Sequence, residues 1–247
     1  MKQIFIAALG SLVAFKAFPC DKCGSYDNSD FQITDVSVAH NIEIGATVWE
    51  MKVKGSAGKT TPTPVGRLNG APVLGYVFPT TLKSEDVGFS HTEGIVALAL
   101  TSHPDFDDTP LWDESADGKY DNDGIIWHPH WVVLTEDKRV DGGLAVKQFN
   151  PGDSGVKLPP TNPGMPMYMD SPGYQVVTKG NLIRVIVPDY RISNKTNFSF
   201  DGVAAYMQVN TGSGGNHGSS DMPMLGVYKV YSVASGNLSL PYRVQNN

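Results

Sequence analysis

Cysteine is nearly absent from this chain of 247 residues. Its two cysteines, Cys20 and Cys23, lie near the start as CDKC, too early to staple a core. In an exported chain the pair is expected to form a disulfide, with a thiol metal clip or a redox pair as alternatives. No βαβ pattern follows it, which argues against a thioredoxin-like role. Long apolar runs are missing after the first twenty residues, so no later segment has the length of a membrane span. Positive charge is scarce: Lys and Arg number 19 against 25 Asp and Glu, a formal net charge of −6. No basic stripe forms, and a nucleic-acid partner is not expected. Periodicity of 3.6 residues never persists beyond two turns. HExxH, GxSxG and other strong catalytic signatures are missing too, as is any internal repeat.

Turn formers and strand formers are plentiful. Gly and Pro number 26 and 17, and 40% of the chain is hydrophobic. The opening MKQIFIAALGSLVAFKAFPC has a basic Lys2, an apolar run from Ile4 to Phe15, and small residues at Ala14 and Ala17. It reads as a secretory signal peptide over residues 1–19, followed by a leader with the Cys pair over 20–30 and one β domain over 31–247. The expected location is secreted, periplasmic or at the cell surface.

The strand candidates are FQITDVSVAH, IEIGATVWEMKVKG, APVLGYVFPT, HTEGIVALALTSH, GIIWHPHWVVLT, LAVKQF, YQVVTKG, NLIRVIVPDY, FSFDGVAAYMQVN and LGVYKVYSVA. Runs of this kind, with turn signals between them and no long helix, predict an all-β fold. A single antiparallel β-sandwich or barrel with long loops is the natural solution. Within IEIGATVWEMKVKG the apolar phase changes between Val48 and Trp49, which predicts a bulge or a move between sheets. KGN predicts a hairpin.

Metal-capable side chains concentrate in HPDFDDTPLWDESADGKYDNDGIIWHPHW, from His103 to Trp131. Its second half is a strand on which His128, His130, Val132 and Leu134 share one face, while Trp127, Trp131 and Val133 share the other. Two imidazoles on one face suit copper, zinc, nickel or iron. A third ligand is expected from His91 or His103 on the preceding strand, with Glu93 and His217 as further candidates. Copper is the expected ion and zinc the alternative. Met165, Met167 and Met169 recur at period two, which offers thioethers for Cu(I) or plain packing against a sheet. Pro129 cannot donate to a ladder, so the strand is expected at an edge or with a bulge there.

The first half of the segment, DESADGKYDNDG, lies on the calcium-loop pattern D-x-[DN]-x-[DN]-G. Asp113, Ser115, Asp117 and Asp121 fall at ligand positions, and Asp123 or Glu114 is the substitute for the missing final Glu. Calcium here would structure a loop between strands. Trp112, Trp127 and Trp131 would then form a platform for a glycan or protein at a cell surface.

The HPH segment also resembles, in part, the cupin pattern G-x5-H-x-H-x3-4-E-x6-G, which supplies metal ligands from a β-barrel. Gly124 stands two residues too near the histidines, Glu136 one too far, and Gly142 one too near Glu136. The resemblance spans about twenty residues, counted on the motif itself, and does not assign the family. It implies a third function class beside metal binding and adhesion: a metal-dependent hydrolase or oxidase.

Overall fold

The computed structural model describes residues 20, 23–104, 126–211 and 221–246. The strands are β1 (Ile33–Asn41), β2 (Ala46–Val53), β3 (Pro72–Pro79), β4 (Ile95–Ser102), β5 (His128–Glu136), β6 (Leu144–Val146) and β7 (Met169–Asp170). They continue as β8 (Val176–Lys179), β9 (Leu182–Pro188), β10 (Ser199–Phe200), β11 (Val203–Val209), β12 (Leu225–Val233), β13 (Tyr242–Arg243) and β14 (Gln245–Asn246). The predicted all-β class is what the chain adopts. Among the described residues, no helix is long and apolar enough to cross a membrane.

Sandwich and barrel, two alternatives in the sequence, are combined. One sheet runs β4-β3-β11-β12-β6-β5-β7, and β4 also pairs with β5, so six strands close on themselves and β7 is appended to β5. A second sheet, β14-β1-β2-β9-β8, packs against the outside of that barrel. Its pairs are antiparallel except β1 with β14.

Strand alternation divides the apolar side chains between two cores. Leu74, Tyr76 and Phe78 of β3, Val96, Leu98 and Leu100 of β4, and Trp131 and Val133 of β5 face the second sheet, where they meet Trp49, Met51, Ile183 and Val185. The alternate residues, Val73 and Val77, Ala97 and Ala99, Val132 and Leu134, turn into the barrel and meet Val203, Ala205 and Met207 of β11. Barrel strands are therefore buried on both faces, which is why they read as nearly continuous apolar runs. Inside residues are mostly Val, Ala and Met, and those between the sheets are larger and more aromatic.

The N-terminal leader is packed into the larger core. Cys20 and Cys23 are joined as a disulfide, and Cys23 and Tyr26 are buried with Phe31. Tyr231 Oη donates to the Cys23 carbonyl.

Two local readings are corrected. The phase change in IEIGATVWEMKVKG is neither a bulge nor a change of sheet. Residues 42–45 form the β1–β2 turn, closed at Asn41 opposite Ala46. The Asn41 side chain accepts from the backbone N–H groups of Glu43 and Ile44, and Gly45 takes a positive φ of 58°. Ile42 and Ile44 are exposed, and the strand keeps a single phase with Thr47, Trp49, Met51 and Val53 inward. The second correction concerns HTEGIVALALTSH. β4 begins only at Ile95, because Gly94 has φ 148° and presses its Cα against β5. A Cβ there would lie 2.5 Å from Val133 Cγ1 and 2.6 Å from the Leu134 carbonyl oxygen. The predicted KGN hairpin is present, with Lys179 opposite Leu182 across Gly180 and Asn181.

Candidate metal centre

β4 ends and β5 begins at one end of the barrel, in antiparallel register with Thr101 opposite His128 and Ala99 opposite His130. Alternation carries Thr101 and His103 of one strand end, and His128 and His130 of the other, to the same face of the sheet, the one turned into the barrel. Both strand ends are His-Pro dipeptides, His103-Pro104 and His128-Pro129. A residue before proline is held extended, so each histidine keeps the phase of its strand at the point where the strand would otherwise fray. Pro129 lies beyond the end of β7, where β5 pairs with β4 alone. The expectation of an edge position is met locally.

The result is a buried cluster of His103, His128 and His130, whose ligand-capable atoms all lie within 4.8 Å of one another. Ring centroids are 4.5 Å apart for His103 and His128, 4.8 Å for His128 and His130, and 5.9 Å for His103 and His130. Nitrogens bonded at about 2.0 Å to one tetrahedral ion stand roughly 3.3 Å apart. Small ring rotations therefore bring all three onto one ion. The Nε2 atoms of His103 and His128 are 2.8 Å apart, close enough to share one proton or to have a metal take its place.

The outer contacts orient the rings. His128 Nδ1–H donates to the Ile126 carbonyl at 3.1 Å. A carbonyl only accepts, so Nδ1 carries the proton and Nε2 presents its lone pair to the cluster. His130 Nδ1 and Ser171 Oγ are 3.0 Å apart. Ser171 follows Asp170, a fully buried carboxylate that accepts from Thr161 Oγ1 at 2.6 Å and from Arg191 at 3.2 Å. Burial pushes the Asp170 carboxyl above its ordinary range, and the Thr161 hydroxyl and Arg191 oppose that shift. Arg191 also donates to Tyr174 Oη, which accepts from Trp131 Nε1. A braced polar strut thus stands behind His130. Replacing Ser171 with alanine is expected to weaken metal binding about tenfold, the lower end of the range for groups that hydrogen-bond to a metal ligand's outer nitrogen. A competition titration against a chelator reads that change, and an unaltered constant would remove Ser171 from the site.

The remaining sequence candidates fall elsewhere. His91 is exposed at 71%, with Nδ1 2.8 Å from Glu85 and Nε2 3.6 Å from Glu93. It does not join the cluster, because the turn at Gly94 takes it off the strand face. The Glu85 carboxyl is held down to about 2, chiefly by its own backbone N–H and the His91 ring. Asp113, Ser115, Asp117, Asp121 and Asp123 lie outside the described residues, as do Trp112 and His217. Trp127 and Trp131 are buried, so neither belongs to an exposed platform. Trp127 Nε1 donates to the Gly58 carbonyl. Ser171, the Ile126 carbonyl and Thr101 were not among the sequence candidates. The paired His-Pro dipeptides were the available signal for which histidines would be fixed.

The donor set is chemically selective. Among the described residues the cluster holds three imidazoles and no carboxylate, which suits a borderline transition metal, whereas Ca²⁺ and Mg²⁺ require oxygen ligands. Three protein ligands leave a tetrahedral ion one position for a further ligand. No protein-family model, curated protein or solved structure matches the chain.

Proposed function

We propose that this chain is an exported metal-binding protein that holds one transition-metal ion, copper, through His103, His128 and His130. The observation that carries the proposal is the convergence of three buried imidazoles at one end of a closed barrel. Copper is favoured over zinc because divalent copper stands highest in the affinity order for nitrogen sites. Methionines that line the adjoining barrel interior are soft donors compatible with Cu(I). Export is supported by the apolar opening segment and by the Cys20–Cys23 disulfide, which persists in oxidising compartments. Calcium at Asp113, Ser115, Asp117, Asp121 and Asp123 is part of the same proposal and rests on sequence spacing.

A second reading, a metal-dependent hydrolase or oxidase, is favoured by the open fourth position. Capture or delivery of the ion remains the primary reading, since no carboxylate joins the described cluster as a general base. The test is loading with Cu(II), Zn(II) and Ca²⁺ in separate dialyses, followed by elemental analysis and thermal melting. About one equivalent of copper is expected to be retained and to raise Tm by several degrees through binding to the folded state. Copper that washes out without moving Tm would contradict the proposal.

A further inference from the structure

The barrel is not filled. Its interior holds a cavity of about 110 Å³ whose wall is almost wholly apolar, and His103 and His130 form part of that wall. We infer that this cavity is the binding site for a small aromatic molecule carrying one hydroxyl or carbonyl oxygen, with its ring in the barrel and its oxygen at Thr101 beside the three histidines.

Size comes first. An engineered apolar cavity of about 150 Å³ stays dry and takes up benzene, so the space here suits a single ring. Away from its histidine end the wall offers water no polar partners, and such a surface does not hold ordered water. A void of this kind forfeits dispersion contacts on all its faces, and larger side chains at its small positions would close it. Ala99 and Ala205 stand at such positions.

The lining indicates the ring. Met165, Met167, Met169 and Met207 all contribute to the wall. Thioethers are polarizable, adapt their shape to an occupant and make favourable contacts with aromatic edges. Period-two placement of the first three, noted in the sequence, is what turns them inward together.

Polarity at one end indicates the oxygen. Thr101 lines the cavity, is 4% exposed, and its Oγ1 has no hydrogen-bond partner among the described residues. Buried hydroxyls are nearly always satisfied, so this one is ready to pair with an oxygen that an occupant of the cavity brings. Thr101 lies opposite His128 in the β4–β5 ladder, and two positions before His103. An oxygen bonded to Thr101 therefore stands on the histidine side of the cavity, next to the open position of the ion. The cavity site rests on its lining alone; the contact with the ion rests on the metal reading above.

The experiment titrates the full chain with phenol and with toluene, which match in size and differ by the hydroxyl. Calorimetry is run with and without one equivalent of Zn(II). Saturable binding of one phenol per chain is expected without metal, tightened by Zn(II) more for phenol than for toluene. Thr101→Val, which keeps the shape and removes the hydroxyl, should weaken phenol by about tenfold and leave toluene within about twofold. Ala205→Leu, which fills the barrel from β11, two strands across from Thr101, should weaken both probes at least tenfold while still taking up Zn(II), so its folding is verified by the same sample. No saturable heat for either probe up to about 10 mM, in protein that melts cooperatively, would overturn the inference. Equal binding to the Ala205→Leu variant would do so as well. Phenol binding that Ala205→Leu abolishes, in protein that takes up no metal, would uphold the cavity and reject the metal reading.

Discussion

Replacing His128 and His130 together with alanine is expected to reduce bound transition metal from about one equivalent per chain to under about a tenth. Site affinities for three or four protein ligands run to about 10 kcal/mol or more, so each of three imidazoles carries roughly 3 kcal/mol. Losing one then weakens the site more than about a hundredfold, and losing both leaves a lone imidazole. Among the described residues, the hydrogen-bond partners of the removed rings include the Ile126 carbonyl, the Ser171 hydroxyl and the His103 ring, each of them neutral or able to be so. The variant should therefore melt cooperatively near the wild-type metal-free protein. His91→Ala is the matched control and should retain its metal, since His91 is paired with Glu85 at the surface. Elemental analysis of the three proteins side by side reads the result. Full metal content in the double variant would place the site elsewhere.

The largest effect on stability is expected at Trp49. It is fully buried between the second sheet and the barrel, with ring centroids 5.3 Å from Phe198, 5.5 Å from Phe78 and 5.9 Å from Trp131. Its Nε1 donates to Thr47 Oγ1 at 2.8 Å. Trp49→Ala removes the indole from the junction of the two layers and leaves a cavity that stiff, paired strands cannot close. A loss of about 3–5 kcal/mol follows from large-to-small changes of this kind. A denaturant titration followed by circular dichroism measures it, with the midpoint moving and the slope unchanged. A change below about 1 kcal/mol would mean that the barrel does not depend on the second sheet. Trp131 adjoins both the aromatic cluster and His130, so Trp49 is the better choice for separating fold from site.

Much of the architecture was legible because barrel strands are buried on two faces. Such strands read as apolar runs whatever their neighbours, and those runs mark the β4 and β5 cores closely. The placement of His128 and His130 on one face, with Val132 and Leu134, followed from the two-residue period alone. Closure of β4 on β5 was foreseeable as the pairing of sequential strands, but closure of the whole barrel was not, because it depends on which distant strands flank β3 and β12. His91 was offered as a ligand by extending a regular strand through Gly94, where a positive φ and the proximity of Val133 forbid it. Ser171 was invisible for a different reason. It lies in an irregular proline-rich segment with no periodicity to project its direction. The cavity was equally hidden, since Val, Ala and Met inside a barrel look no different in sequence from a filled core. Trp127 and Trp131 were misjudged as a platform because nearness to an acidic segment says nothing about which face of a strand meets the second sheet.

The central claim is that one ion is held by His103, His128 and His130 together. X-ray absorption spectroscopy at the copper edge, on protein loaded with one equivalent, tests it most directly. The expected spectrum shows three nitrogen ligands at about 2.0 Å with the outer-shell scattering of imidazole rings, and the His103→Ala variant loses one of the three. A first shell made of oxygens, or one that His103→Ala leaves unchanged, would contradict the account.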